Sequence, residues 1–360
     1  MNKLTIAVIF GGNSSEHEVS CLTAKSIIDN LNKELYNILP IGISKQNHWL
    51  LFKGDTEKIE TGQWINDKDN LRVSISPNLA LGNLITIDNS NHVEFVNLDV
   101  VFPALHGKNG EDGTVQGLLE LSGIPFVGSG CLSSAVCMDK SVANSLVGYA
   151  GINQPDWLVL TSNDLSDKAL LYEKLENKIG YPMFVKPACA GSSVGISKVK
   201  NRNSLFDALM LALSHDSKVV VERGIVGKEL ECAVFGETHS PFASVVSEIF
   251  PRNEFYDYES KYDLPSITEV PANISDELSC RVQENAKKIF SMLGCHGMAR
   301  VDFLYEVSTD TLHFNEVNTI PGFTSISMYP RMMEASGIKY SELLSQLIDL
   351  AIARDRERNL

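Results

Sequence analysis

No stretch of the 360-residue sequence approaches the roughly 18–20 consecutive apolar residues needed to cross a bilayer. The first residues run straight into a short apolar stretch, without the charged, apolar and small-residue regions of a secretory leader, so a cytoplasmic protein is expected. Basic charge is scarce. Against 45 Asp and Glu there are 31 Lys and Arg, and the formal net charge is −14. That balance disfavours non-specific binding to nucleic acid or to an anionic membrane, although a few placed lysines can still make a local phosphate site. The seven cysteines are odd in number and irregular in spacing, and no CxxC pair occurs. A disulfide framework or a zinc site is therefore not expected, and buried free thiols are. Two nucleotide signatures are also missing. The Gly11-Gly12 turn leads into NSSE and does not complete GxGxxG, and no loop ends in the Gly-Lys-Ser/Thr of a Walker A motif.

What remains is an ordinary globular composition, 44% hydrophobic and 21% charged, long enough for two or three domains. Leu4–Phe10 (LTIAVIF) reads as a strand, followed by a helical pattern from about His17 to Leu31. Leu98–Pro103, the Gly-rich HGKNGEDG, the apolar TVQGLLELSG and the run IPFVG continue the alternation, which predicts an α/β unit on a parallel sheet. A first boundary is placed at Gly128–Gly130, giving units of 1–128, 129–226 and 227–360. In the second unit, PMFVKP and ISKVK flank ACAGSSVG as a hairpin, a helix capped at Asn203 or Ser204 runs to about His215, and KVVVE is a further strand. The third unit holds the strand ELECAVFG, a long helix from Asp276 to about Leu293 and a last helix from about Ser341. Pro251–Pro271 lacks apolar periodicity and is a candidate lid.

The densest chemistry lies in ARVDFLYEVSTDTLHFNEVNTIPG. Alternation puts Arg300 with Asp302 on one strand and Glu316 with Asn318 on the next. A turn centred near Thr309 sets Asp302 opposite Glu316, where like charges repel unless something positive intervenes. Asp, Glu and Asn offer hard oxygen donors suited to Mg²⁺ working with phosphates. The alternative is a solvated face on which Arg300 pairs with Asp302. The Pro-Gly turn that follows places backbone N–H groups beside the carboxylates, where an oxyanion could form.

In Gly191-Ser192-Ser193-Val194-Gly195, glycines allow backbone N–H groups to approach phosphate and the two hydroxyls add donors; an ordinary hairpin turn is the competing reading. Lys140 and Lys186 are candidate phosphate partners. Glu222 and Glu229 bracket a short segment where carboxylates could meet a nucleoside.

The ordered set GGNSSEHEVS, HGKNGEDG, MDKS, VKPACAGSSVG, VERGIVGKELECAV, DYESKY, RVDF and NEVNTIPGFTSIS resembles the D-alanine–D-alanine ligases and the related vancomycin-resistance ligases, from about Ile6 to Ile348. The resemblance implies an ATP-grasp fold of three α/β domains with ATP between the second and third. Lys140, Lys186, Ser193 and Lys261 would then serve the nucleotide phosphates. The backbone from Glu222 to Ile225 would hold adenine and Glu229 the ribose, with Arg223 standing where the family often has Lys. Asp302, Glu316 and Asn318 would hold two Mg²⁺ ions, for which Mn²⁺ can substitute. Glu16, at a helix start that favours negative charge, would take the ammonium of the first D-alanine. His106 would lie nearby, and Ser192, Tyr262 and Glu16 would close the site.

The implied reaction activates the first D-alanine as an acyl phosphate, which the amine of the second D-alanine attacks. Arg300 and the Gly322 N–H would stabilise the oxyanion. Tyr262 accompanies dipeptide formation in the family, and Ser327 would bind the second carboxylate. Met328 is apolar where D-serine-using relatives carry a basic residue, which favours D-alanine as both substrates; a D-alanine–D-serine ligase is the second reading. The resemblance also implies a homodimer in the cytoplasm. Glutathione-synthetase or biotin-carboxylase relatives would share the acidic hairpin but lack the GGNSSE, HGKNGEDG and DYESKY set. A dehydrogenase lacks its fingerprint here, and a nucleotide sensor need not keep the reaction centre.

Overall fold

In the computed structural model, which describes residues 3–78, 82–250 and 267–358, three β-sheets follow one another along the chain. The first begins with β1 (Leu4–Gly11), in which Ile6 to Phe10 are fully buried, as a strand covered on both faces requires. The helix His17–Asn30 returns the chain to β2 (Tyr36–Ile43), parallel to β1. After β3 (Trp49–Leu51), β4 (Leu71–Ile75), β5 (Leu84–Ile87) and β6 (Val93–Val96), the strand β7 (Val100–Pro103) docks parallel on the other side of β1.

The parallel sheet expected from sequence is therefore only partly right. β7, β1 and β2 are parallel, but β2 through β6 form an antiparallel meander in the order β6-β5-β4-β3-β2-β1-β7. The reason lies in the connections. A helical crossover can return a chain to a parallel strand, whereas turns as short as Ser44–His48 and Asp88–His92 can only reverse it.

The second sheet, β10-β9-β11-β8, is antiparallel, with β8 (Trp157–Thr161), β9 (Met183–Pro187), β10 (Ser197–Val199) and β11 (Lys218–Arg223). The predicted hairpin around the Gly/Ser loop is present, with Ser197 opposite Val185. The helix Leu205–His215 has Ser204 at its N-cap position, one of the two expected, though without a side-chain cap bond; the 3₁₀ turn Arg202–Ser204 that precedes it is capped by Asn201.

The third sheet is antiparallel in the order β14-β13-β12-β15-β16, with β12 (Lys228–Glu237), β13 (Ser240–Phe250), β14 (Ile267–Glu269), β15 (Gly297–Glu306) and β16 (Thr311–Asn318). The helix Asp276–Met292 covers it. Ser275 caps this helix by accepting from the Leu278 N–H at 3.2 Å, two acidic residues open it, and Leu278, Val282, Ala286, Ile289 and Phe290 form the buried stripe. The stripe packs in one core with Phe303 and Phe314 of the β15–β16 hairpin.

A further core joins the ends of the chain. Leu343, Leu344, Leu347 and Ile348 of the helix Tyr340–Arg358 are fully buried with Ile6, Val8 and Phe102 of the first sheet and Met298 of the third. This shared core fixes the loop after β1 relative to the β15–β16 hairpin. Tyr340 adds a polar tie, its hydroxyl donating to Phe323 O at 2.6 Å and lying 3.0 Å from Ser26 Oγ.

All seven cysteines are free, as expected, but they are not uniformly buried: Cys189 and Cys280 are exposed and Cys131 is half-buried. Among the described residues no helix is long and apolar enough to cross a membrane.

Because Phe303 is fully buried behind the acidic face of its hairpin, Phe303→Ala is expected to cost about 3–5 kcal/mol in urea unfolding. A loss under about 1 kcal/mol would mean that the hairpin is not anchored through this core.

Candidate active site

Asp302 and Glu316 are cross-strand partners on β15 and β16, as the sequence predicts. The hairpin is not regular, however. Beyond Asp302 the register shifts, so that Phe303 faces Phe314, and Asn315 becomes the extra residue of a β-bulge. The bulge aims Asn315 sideways, and its Oδ1 lies 3.3 Å from Lys186 Nζ.

The solvated reading of this face does not hold, because Asp302 is only 3% exposed. Its pairing with Arg300 does hold: Nε and Nη2 of Arg300 reach the two carboxylate oxygens at 2.8 and 2.6 Å. A second carboxylate, Glu231 on β12, lies 3.0 Å from Arg300 Nε and is itself buried. Burial alone would disfavour the guanidinium charge, but Asp302, Glu231 and Glu316 outweigh it and hold the Arg300 pKa up. Glu231 sits directly across from Asp302 and two residues after Glu229. That i, i+2 spacing inside an apolar strand is the sequence signal that could have found it.

Lys140 is the first residue of the helix Lys140–Tyr149, which Asp139 caps by accepting from the Ser141 and Val142 N–H groups. Its Nζ donates to Ala190 O at 2.9 Å and lies 3.3 Å from Glu316 Oε2. One ammonium thus ties the base of the Gly191–Gly195 loop to the acidic hairpin. Lys186 projects from β9 into the same region and pairs with Glu222 at 2.5 Å. Burial alone would lower its pKa, but Glu222, Glu316 and Glu229 raise it. Of the three, Glu222 is in direct contact with this lysine.

The Glu222 side chain consequently faces inward. It is buried, paired with Lys186 and 3.5 Å from Asn144 Nδ2. In the segment that follows, the Arg223 N–H donates to Asp156 O and the Gly224 N–H to Pro182 O, both at 2.8 Å. Those two donors are committed to the sheet, while the half-buried Ile225 lies just beyond them.

On the opposite wall, Glu16 precedes the helix His17–Asn30 but does not cap it with its side chain. Its carboxylate accepts instead from the Ser192 hydroxyl of the Gly/Ser loop. Two glycines make room for it. A Cβ at Gly107 would sit 2.5 Å from Glu16 Oε2, and one at Gly191 would sit 2.8 Å away. Ser192 and Ser193 both adopt positive φ, 50° and 60°, which tightens the loop over Glu16. His106 is buried, 2.9 Å from Thr23 Oγ1 through Nε2 and 3.3 Å from Glu111 Oε1 through Nδ1. Burial would lower its pKa, but the Glu111 carboxylate raises it.

Gly322 and Ser327 lie together, since a Cβ at Gly322 would stand 2.8 Å from Ser327 Oγ. The Thr324 N–H donates to the Ser327 hydroxyl at 3.0 Å and closes this turn. Met328 is buried in the core with Phe323 and Tyr329, and its sulfur meets Arg331 Nη1 at 3.3 Å. Its apolar character is thus demanded by packing as well. Lys261 and Tyr262, together with most of the candidate lid, lie outside the described residues.

The donor set fits a hard divalent cation. Asp302 and Glu316 offer carboxylate oxygens. Asn318 Oδ1 accepts the Ile320 N–H at 3.0 Å and keeps a second lone pair. Among the described residues no cluster of three or more His, Cys, Asp or Glu forms a metal cage. The remaining ligands would have to be phosphate oxygens and water, which is how Mg²⁺ is usually bound.

Two family models match the chain, D-Ala–D-Ala ligase N-terminus over residues 5–129 and D-Ala–D-Ala ligase C-terminus over residues 146–349. The chain belongs to the D-alanine–D-alanine ligase family. It is 48% identical to a D-alanine–D-alanine ligase of Caldicellulosiruptor bescii, covering 99% of this chain and 98% of that one. Among solved structures, the VanG D-Ala:D-Ser ligase from Enterococcus faecalis is 43% identical with a TM-score of 0.88, covering 97% of this chain and all of that one. A D-alanine–D-alanine ligase from Bacillus anthracis complexed with ATP is 32% identical with a TM-score of 0.72, covering 99% of each chain. The fold is therefore the ATP-grasp fold of these ligases, and the chain is an enzyme of the ligase class.

Removing the buried Glu231 leaves the half-buried Arg300 with one carboxylate fewer. Glu231→Ala is expected to destabilise the chain by about 3 kcal/mol in denaturant unfolding, and Glu231→Gln by less. Equal stability of Glu231→Ala and wild type would show that Asp302 alone suffices for Arg300.

Proposed function

We propose that this chain joins two D-alanine molecules into the dipeptide used for peptidoglycan, consuming ATP, as a cytoplasmic homodimer. The observation that carries the proposal is the Ser192–Glu16 hydrogen bond. It joins a carboxylate suited to an amino group to a loop suited to phosphates, and Lys140 joins that same loop to the acidic hairpin. The three units 1–128, 129–226 and 227–360 are part of this reading, and each contains one of the three sheets.

Each residue has a role in the proposal. Glu16 receives the ammonium of the first D-alanine, and Gly107 and Gly191, lacking side chains, leave room for its carboxylate. His106, held between Thr23 and Glu111, forms the floor beside it. Lys140 and Lys186 exchange carboxylate partners for phosphate oxygens of ATP, while Ser192, Ser193 and Lys261 cover them. The backbone from Glu222 to Ile225 holds adenine and Glu229 the ribose. Asp302, Glu316 and Asn318 hold Mg²⁺, a pair of ions for which Mn²⁺ can stand in, and the metal supplies neutralisation of charge on the transferring phosphoryl group. The first D-alanine carboxylate attacks the γ-phosphorus of ATP, releasing ADP and forming an acyl phosphate; the neutral amine of the second D-alanine adds to its acyl carbon, and loss of a proton and of inorganic phosphate leaves the dipeptide. Arg300 and the Gly322 N–H then face the oxyanion. Ser327 receives the second carboxylate beside Met328, and Tyr262 closes over the amine, excluding water from an intermediate that hydrolyses.

Similarity to the VanG D-Ala:D-Ser ligase favours D-serine as the second reading. D-alanine is preferred because the relatives at 48% identity are D-alanine–D-alanine ligases and because Met328 is apolar. The test is ATP-dependent phosphate release with D-alanine, adding D-alanine, D-serine or D-lactate as co-substrate and identifying the product. D-alanyl-D-alanine is expected to dominate, and D-alanyl-D-serine as the main product would overturn the choice of second substrate. Glu316→Ala is expected to lower phosphate release at least about 100-fold. Unchanged turnover in that variant would remove the metal assignment.

A further inference from the structure

Arg223 closes β11 at the point where the chain leaves the second sheet for the third. Its guanidinium grips Glu306 with two parallel hydrogen bonds, Nη1 to Oε1 at 3.1 Å and Nη2 to Oε2 at 3.2 Å. Glu306 is the last residue of β15, the strand that carries Arg300 and Asp302. His313 of β16 lies 3.2 Å from the same carboxylate through Nε2, and the Thr309 hydroxyl donates to it, also at 3.2 Å. His313 stands three residues before Glu316 on its strand. The cluster is thus built on the hairpin that bears the acidic face, but at its opposite end.

The linker is held at two further places. The Arg223 and Gly224 N–H groups are bonded to Asp156 O and Pro182 O. A Cβ at Gly227 would lie 1.9 Å from Tyr305 O, so the backbone presses directly on β15. Between these points sit Ile225, half-buried, and Val226, 79% exposed. A segment fixed at both ends, with its middle residue left for a ligand, is a template whose placement depends on its anchors.

We infer that the Arg223–Glu306–His313 cluster is a positioning clamp, which sets the distance between the adenine-binding backbone at Ile225 and the carboxylates of the β15–β16 hairpin and thereby tunes affinity for ATP. The inference rests on the ATP reading given above. Its logic is geometric. ATP must reach the linker with its base and the hairpin carboxylates with its phosphates at the same time. The clamp is a side-chain link between those two elements at the linker end, apart from the Glu222–Lys186–Asn315 contacts nearer the carboxylates. The planar, two-pronged contact explains why Arg suits this position, because Lys delivers a point charge and cannot fix an angle. The Arg223 carboxylate partner is also held low, its pKa pushed down to about 2 by the Arg223 hydrogen bonds first and by His313 in addition, so it is charged throughout the neutral range.

Glu306→Gln and Arg223→Lys test the clamp, each keeping bulk while removing charge or fork geometry. Because the Arg223 side chain is 33% exposed, the expected effect is moderate, a rise of about fivefold in the KM and calorimetric Kd for ATP. That rise should exceed any change in kcat or in the KM for D-alanine. The double variant should be little worse than either single one, because both remove the same contact. Unchanged ATP affinity in both single variants overturns the inference. So does an equal change in the D-alanine KM, which would mark a general loosening of the fold. Should the wild type release no phosphate with D-alanine, the ligase reading falls, and ATP binding by calorimetry still decides the clamp.

Discussion

The acidic hairpin exists in folded form because its charges are compensated inside the protein. Asp302 and Glu231 flank Arg300, and Lys140 and Lys186 approach Glu316 and Glu222. Isolated charges at this depth would each cost several kcal/mol, so none of these groups is tolerable alone. The compensation is incomplete in an informative way. The cations Arg300, Lys140 and Lys186 are in contact with four carboxylates, those of Glu222, Glu231, Asp302 and Glu316. The surplus is negative, and it suits a site that binds an anion only together with divalent cations. The lysines are then held in place before phosphate arrives, and binding exchanges one partner for another without ordering a loose side chain.

A second constraint is the core shared by the first and third sheets. Glu16 follows β1 and Asp302 lies on β15, far apart in sequence, yet both emerge from elements packed on the helix Tyr340–Arg358. The Gly/Ser loop belongs to a different sheet and meets Glu16 through Ser192. Contact through small residues makes that meeting possible. Any side chain at Gly107 or Gly191 would occupy the space of the Glu16 carboxylate. The site is thus assembled by rigid packing on one side and by a tight loop on the other.

Much of this was legible in the sequence, and the failures have physical causes. The pairing of Asp302 with Glu316 follows from a turn centred at Thr309, and it is observed. Near the turn, however, Glu306 faces Thr311, and only the bulge at Asn315 restores the register at the carboxylates. Periodicity assigns no extra residue, so neither the bulge nor the Asn315–Lys186 contact could be read beforehand. The antiparallel meander of β3 to β6 was missed because its strands are short and half-exposed, with weak alternation. The competing reading of Glu222 as surface charge fails because Lys186, distant in sequence, turns it inward. His106 and Glu16 were reached through motif resemblance, since a lone His or Glu carries no periodic signal.

The position of Met328 changes what its identity says about the second substrate. It packs in the core around Phe323 and Tyr329, so packing as well as the pocket accounts for its apolar side chain. A hydroxyl added to a methyl-sized substrate alters binding in an apolar pocket by only about 1–3 kcal/mol. Selectivity between D-alanine and D-serine therefore needs no difference in backbone. That is consistent with a D-Ala:D-Ser ligase matching this fold at a TM-score of 0.88. On the proposed reading, the Glu16–Ser192 contact and the compensated hairpin serve activation of the first carboxylate. On the same reading, the choice of nucleophile would fall to the turn in which Ser327 folds back on Gly322, where one hydrogen-bonding group can separate the two substrates without disturbing the chemistry beside it.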